Sequence, residues 1–170
     1  MIIEFYVYID RLIDEVPHYI YEVLLAAFCV GAAFLLLWKS KKAWLIIAKL
    51  LFVEYLFLIF CSTVIFRNEI PERKILLTPF WSYSRQNLIA ENVMNVVVFI
   101  PVGFLLFMIR KERIFQFGSW VIAIISGLVL SVSVESSQLI FKKGYAELDD
   151  VMHNTLGCFI GCILSLIIVK

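Results

Sequence analysis

The chain has 170 residues, of which 62% are hydrophobic and 17% charged, and its mean hydropathy is +0.94. A soluble domain is about half apolar and about a quarter charged, so the composition excludes an ordinary soluble protein and implies a membrane protein. A net charge of +1, a pI near 7.6 and the lack of a basic face argue against nucleic acid as a partner.

Residues 1–18 mix Phe5, Tyr6, Tyr8, Ile9, Leu12 and Ile13 with Asp10, Asp14 and Glu15. This pattern predicts a short helix lying at the membrane interface, ended by Pro17. It lacks the basic start and the small-residue cleavage site of a signal peptide. Five apolar runs follow: Tyr19–Trp38, Ala43–Phe66, Asn92–Ile109, Gly118–Phe141 and Val151–Val169. Each is close to the roughly 20 residues that cross a bilayer, and without water to satisfy the backbone each is expected to be a helix. The expected fold is all-α: an integral membrane bundle of about five transmembrane helices with an N-terminal interfacial helix, a single domain over 1–170. Cys29, Cys61, Cys158 and Cys162 all lie in apolar runs with no disulfide or zinc spacing, and read as small packable side chains.

Lys39, Lys41, Lys42 and Lys49 crowd one short connection, and Arg110, Lys111 and Arg113 another. Density of basic residues in short loops places both in the cytoplasm. The 67–91 loop and the Lys142–Asp150 turn then face outward, although they too carry basic residues. Trp38, Trp44 and Trp120 fall at span ends, as interfacial aromatics do.

Polar residues gather at the outer ends of the last three spans. Ala123, Gly127, Ser131, Glu135 and Gln138 form one stripe on the fourth, and Asp150, Asn154, Gly157, Gly161 and Ser165 one on the fifth. Asn95, Phe99 and Gly103 share a face of the third, with Asn92 one turn before. At about 1.5 Å per residue, Glu135 lies roughly 9 Å inside Phe141. Ionisable groups inside a span are costly and need a partner. The candidate ligand-binding residues are therefore Asn92, Asn95, Glu135, Gln138, Asp149, Asp150 and Asn154. Pro101, Gly103, Gly127, Gly157 and Gly161 are expected to let helices bend or approach closely. Plainer roles stand beside these. The amides can simply bond across helices, the serines can bond their own backbone, and either aspartate can cap the fifth span. Glu54 reads as a snorkelling side chain or a proton-relay carboxylate. Asp149 and His153, four apart, could ligate a metal with Glu147, but no third strong ligand is placed by the sequence; no metal and no cofactor are expected.

The segments Asn92-Val-Met-Asn95 through Pro101-Val-Gly103, Glu135-Ser-Ser-Gln138, and Asp149-Asp150-Val-Met-His-Asn154 through Gly157 and Gly161 resemble the VanZ-like family, as does Leu77-Thr-Pro79-Phe80 before them. The resemblance covers about 75–165 and matches at Asn95, Pro101, Gly103, Glu135, Gln138, Asp150, Asn154 and Gly157. It departs at Lys142-Lys143-Gly144-Tyr145, where the family usually has an arginine, and lysine does not supply arginine's planar two-pronged contact. The family comprises small multi-pass bacterial membrane proteins, named for a member that raises resistance to teicoplanin-type glycopeptides. The resemblance implies a cell-membrane protein of a Gram-positive bacterium. Its partner would be a membrane lipid or lipid-linked envelope component held in an outer-leaflet polar pocket. An intramembrane hydrolase or transferase, with Glu135 as general base and Asp149 or Asp150 assisting, is the alternative. No nucleophile elbow, phosphate loop or histidine pair accompanies it, and no internal repeat suggests a carrier.

The orientation is tested by accessibility. In a background without the native cysteines, Gly144→Cys is expected to react with an impermeant thiol reagent on intact cells and Glu112→Cys is not. The reverse pattern would put the polar ends of the spans in the cytoplasm.

Overall fold

A computed structural model describes residues 16–37, 43–84, 89–109 and 117–168. Its helices are α1 (His18–Leu37), α2 (Ala43–Phe60), α3 (Ile89–Ile109), α4 (Phe117–Phe141) and α5 (Leu148–Ile168). A π-helical turn, Cys61–Ile65, extends α2, and a 3-10 turn, Trp81–Ser84, precedes α3. The expected interfacial helix and the two basic connections lie outside the described residues. The class is all-α, and among the described residues four helical segments (43–65, 89–109, 124–141 and 148–167) are long and apolar enough to cross a membrane. Val53, Phe57, Val97, Val129 and Ile167 are among their exposed apolar side chains. Such a surface suits lipid and is far too extensive for water.

Two boundaries differ from the apolar runs in a way that matters. Helix α3 starts at Ile89 rather than Asn92, and α5 at Leu148 rather than Val151. Hydropathy sees only where a segment becomes apolar. The first helical turn can be acidic, because carboxylates interact favourably with the unpaired N–H groups there. Asp149 and Asp150 thus belong to the first turn of α5, not to the connection before it. Two dipeptide strands were also invisible to the sequence: β1 (Ile75–Leu76) pairs in parallel with β2 (Ala146–Glu147). They tie the long loop after α2 to the turn before α5.

Helix α5 is the centre of the bundle, packed most extensively on α3 and next on α4, while α2 lies on α3 and α1 on α2. Three glycines set the α3–α5 separation. A Cβ on Gly103 would overlap the Cys158 carbonyl; one on Gly157 or Gly161 would overlap the Val96 or Ile100 carbonyl. Gly127 of α4 meets the Cys158 side chain, 2.7 Å from where its own Cβ would stand. Ile59, Phe99, Val102, Val134 and Cys158 form the buried cluster around these contacts. Pro101 lies inside α3 and cannot donate to the preceding turn. Next to that gap the Tyr55 hydroxyl donates to the Val98 carbonyl at 2.8 Å, joining α2 to α3.

Gly103→Ala and Gly157→Ala each drive a methyl group into opposing backbone. Each is expected to destabilise the protein by about 1–3 kcal/mol, read as a lowered Tm in detergent. Gly144→Ala meets only the ends of the flexible Gln138 and Arg67 side chains, at 3.0 and 3.3 Å, and is expected to lower Tm less than either.

Candidate functional site

Adjacent residues on a helix point about 100° apart, and the acidic pair at the start of α5 serves two different places. Asp149 is fully buried and gathers the loop before α3. It accepts the Phe80 N–H at 2.6 Å, the Ser82 N–H at 3.0 Å and the Ser82 hydroxyl at 2.5 Å. Asn92 donates its side-chain amide to the same Ser82 Oγ at 2.9 Å. Phe80 has φ of 60°, a left-handed backbone that a bulky residue adopts only when its surroundings impose it. The Phe80 N–H bond to Asp149 is one of the contacts that hold it. His153, one turn on, faces the Asp149 carbonyl through Nδ1 at 2.6 Å and the Tyr83 hydroxyl through Nε2 at 2.7 Å. Since a carbonyl only accepts, Nδ1 carries a proton, and in the neutral imidazole Nε2 accepts from Tyr83.

Asp150 turns the other way, into a cavity of about 620 Å³ at one end of the helices, a size suited to a small ligand. Five of the residues selected from the sequence line it: Asn95, Glu135, Gln138, Asp150 and Asn154. Asn92 and Asp149 do not; they build the loop anchor beside it. Asn95 Nδ2 donates to Asp150 Oδ1 at 2.8 Å. The Glu147 N–H donates to Glu135 Oε2 at 3.1 Å. Gln138 Nε2 donates to the Thr63 carbonyl at 3.3 Å, in the π-helical turn. Asn154 Nδ2 donates to Ser131 Oγ at 2.9 Å, while its buried Oδ1 has no hydrogen-bond partner among the described residues.

Other lining residues escaped the sequence reading. Arg67, just past the π-helical turn, is the one cation among the described residues around the cavity. In sequence it was one of several scattered loop charges. It packs on the turn where the resemblance led one to expect an arginine: a Cβ on Gly144 would lie 3.3 Å from Arg67 Nη1. A guanidinium therefore stands at that turn, delivered from a different element. Glu91, Trp81, Tyr55 and Tyr145 complete much of the wall. Glu147, weighed earlier only as a metal ligand, lines it as well. Among the described residues no group of three His, Cys, Asp or Glu side chains is placed to hold a metal ion. Glu54 does not line the cavity.

Glu147 lies outside the spans, and its carboxyl is pushed up to about 7, first by burial and then by the neighbouring charges of Asp150 and Glu91. The folded protein thus holds this proton more tightly than the unfolded chain. The resulting stability is fully present below the ordinary value of 4.5 and is lost as pH rises through about 7. Glu147→Gln is expected to flatten the fall of Tm across that interval. An unchanged pH profile would show that this carboxyl is not the group that titrates.

The VanZ/LLP1 family pattern matches residues 44–169. "Protein VanZ" of Enterococcus faecium is 37% identical over 90 residues, which are 53% of this chain and 51% of that protein. The chain thus spans about half the length of this curated relative. No solved structure matches. The family pattern takes in α2 to α5, with the cavity residues from Tyr55 to Asn154 inside it, and the chain belongs to the VanZ/LLP1 family.

Proposed function

We propose that this protein binds the headgroup of an envelope lipid, or of a lipid-linked wall intermediate, in the cavity at the outer ends of its spans. In a Gram-positive cell membrane, that binding would lower susceptibility to teicoplanin-type glycopeptides. One observation carries the reading: polar side chains from α3, α4 and α5 converge with Arg67 on a single cavity of about 620 Å³ beside lipid-facing helices. Sequestered charge of this kind is costly in a membrane protein unless it serves a ligand or a path. Amides, carboxylates and a guanidinium interleaved with tyrosines suit a polar headgroup on an apolar stem. The family relation adds the link to the VanZ name.

The geometry favours binding over turnover. The serine and threonine hydroxyls that line the cavity are already engaged: Ser62 and Thr63 both donate to the Ile59 carbonyl, at 3.1 and 2.7 Å. Neither is paired with a base that would make it a nucleophile.

Lipids retained by the full chain after purification from its native membrane, identified by mass spectrometry, test the reading. A specific envelope lipid, retained unchanged on incubation, is expected. Conversion of the lipid would favour the transferase or hydrolase. Glu135→Gln keeps the size of the side chain but exchanges an acceptor-only carboxylate for an amide. It is expected to abolish protection against teicoplanin at normal abundance and Tm, with Asp150→Asn alike and Ser133→Ala neutral. Full protection by Glu135→Gln would make Glu135 a structural residue and remove the basis for a charged site.

A further inference from the structure

The cavity is lined by ionisable groups of both signs that do not pair by direct contact. Arg67 lines it, and the two ion pairs found among the described residues, Lys74–Glu72 and Lys143–Glu69, do not involve it. Around the same space stand Glu135, Glu147 and Asp150. An ionised carboxylate offers about four acceptor sites. Within the described chain Glu135 receives the Glu147 N–H and Asp150 receives the Asn95 amide. Most of their accepting capacity is left for something else.

Asn154 points independently to a ligand. It is 4% exposed, it lines the cavity, and its Oδ1 has no partner among the described residues. A buried carbonyl left unpaired is destabilising, and this one asks for an N–H or O–H donor. Two carboxylates and a neutral acceptor therefore share a need for donors, on the side of the cavity formed by α4 and α5.

We propose that the headgroup bound here is zwitterionic, with an ammonium group among Glu135, Asp150 and Asn154 and an attached phosphate or carboxylate on Arg67. This rests on the headgroup-binding reading and names the class of headgroup. An ammonium has three donors and no acceptor, which fits three acceptors around one position. A sugar would donate equally well but would leave the carboxylate charge uncompensated away from water. A purely anionic headgroup would satisfy Arg67 and meet repulsion from the acids. The guanidinium is always charged and matches the flat edge of a phosphate or carboxylate, so an amine without an anion would leave it unmatched.

The test uses the purified full chain in detergent and three probes: dihexanoyl phosphatidylethanolamine, its N-acetylated counterpart, and glycerophosphoethanolamine. Acetylation removes the positive charge and keeps the phosphate. The ethanolamine lipid is expected to bind about tenfold or more tightly than the acetylated one, as for a lost charge-assisted contact. This comparison is made in the parent chain, so it does not depend on a variant folding. Asp150→Asn is expected to reduce that preference, and Arg67→Gln to weaken both lipids by a similar factor. Glycerophosphoethanolamine binding as tightly as the lipid would support the zwitterionic chemistry while naming a soluble source. Equal binding of the two lipids, abolished by Arg67→Gln, would overturn the ammonium and leave headgroup binding standing. No binding of any probe, together with no lipid retained on purification, would overturn both.

Discussion

The close approach of α3 and α5 governs the rest of the molecule. Gly103, Gly157 and Gly161 bring helix backbone against helix backbone, with no room for a methyl group between them. In lipid the hydrophobic effect does not drive helices together, so such packing contributes much of the association energy. The same contact fixes height. With Gly157 against Val96, Asn95 and Asp150 come to one level and close a 2.8 Å hydrogen bond. A bulkier residue at the glycines would alter both the bundle and the alignment of polar groups one or two turns away.

From that level outward, the structure is organised by where charge is placed. Asp149 satisfies its carboxylate entirely with the 80–82 backbone and Ser82, and so converts a long loop into a fixed wall. Asp150, its neighbour, is left for the cavity. The π-helical turn at the end of α2 has a related effect. It offers the Thr63 carbonyl to Gln138 and precedes Arg67 at the cavity edge. Irregular helical geometry is tolerated at membrane depth where it lines a protein cavity rather than lipid, and π turns often accompany functional sites. The parallel pairing of β1 with β2 keeps the loop and the turn together over this region.

The cavity therefore combines two demands that ordinarily conflict. Its walls are stable because their backbone groups and many side chains are bonded within the chain. Its ionisable groups are not all satisfied in this way, and Asn154 Oδ1 has no partner among the described residues. Such a division, a rigid frame around incompletely bonded polar atoms, is what preorganised binding requires: the cost of ordering the groups is met before the ligand arrives.

Sequence alone determined the class, the four spans found among the described residues and the faces of the last three. Apolar length and the absence of water in the bilayer force helices. The spacing of Asn95, Gln138, Glu135, Asp150 and Asn154 put them on stripes that the fold brings to one cavity. Helical periodicity is local, so this much is legible without partners. It could not separate Asp149 from Asp150, because the difference lies in which element faces each side of the helix: the 80–82 loop for one, the α3–α4 gap for the other. Nor could it select Arg67 from the other basic loop residues or anticipate β1 and β2. Those depend on the path of the loop after α2, which carries no periodic signal, and on the Gly103–Cys158 approach that decides which ends of the helices meet. Long-range packing alone settles such questions, since the contacts join residues distant along the chain.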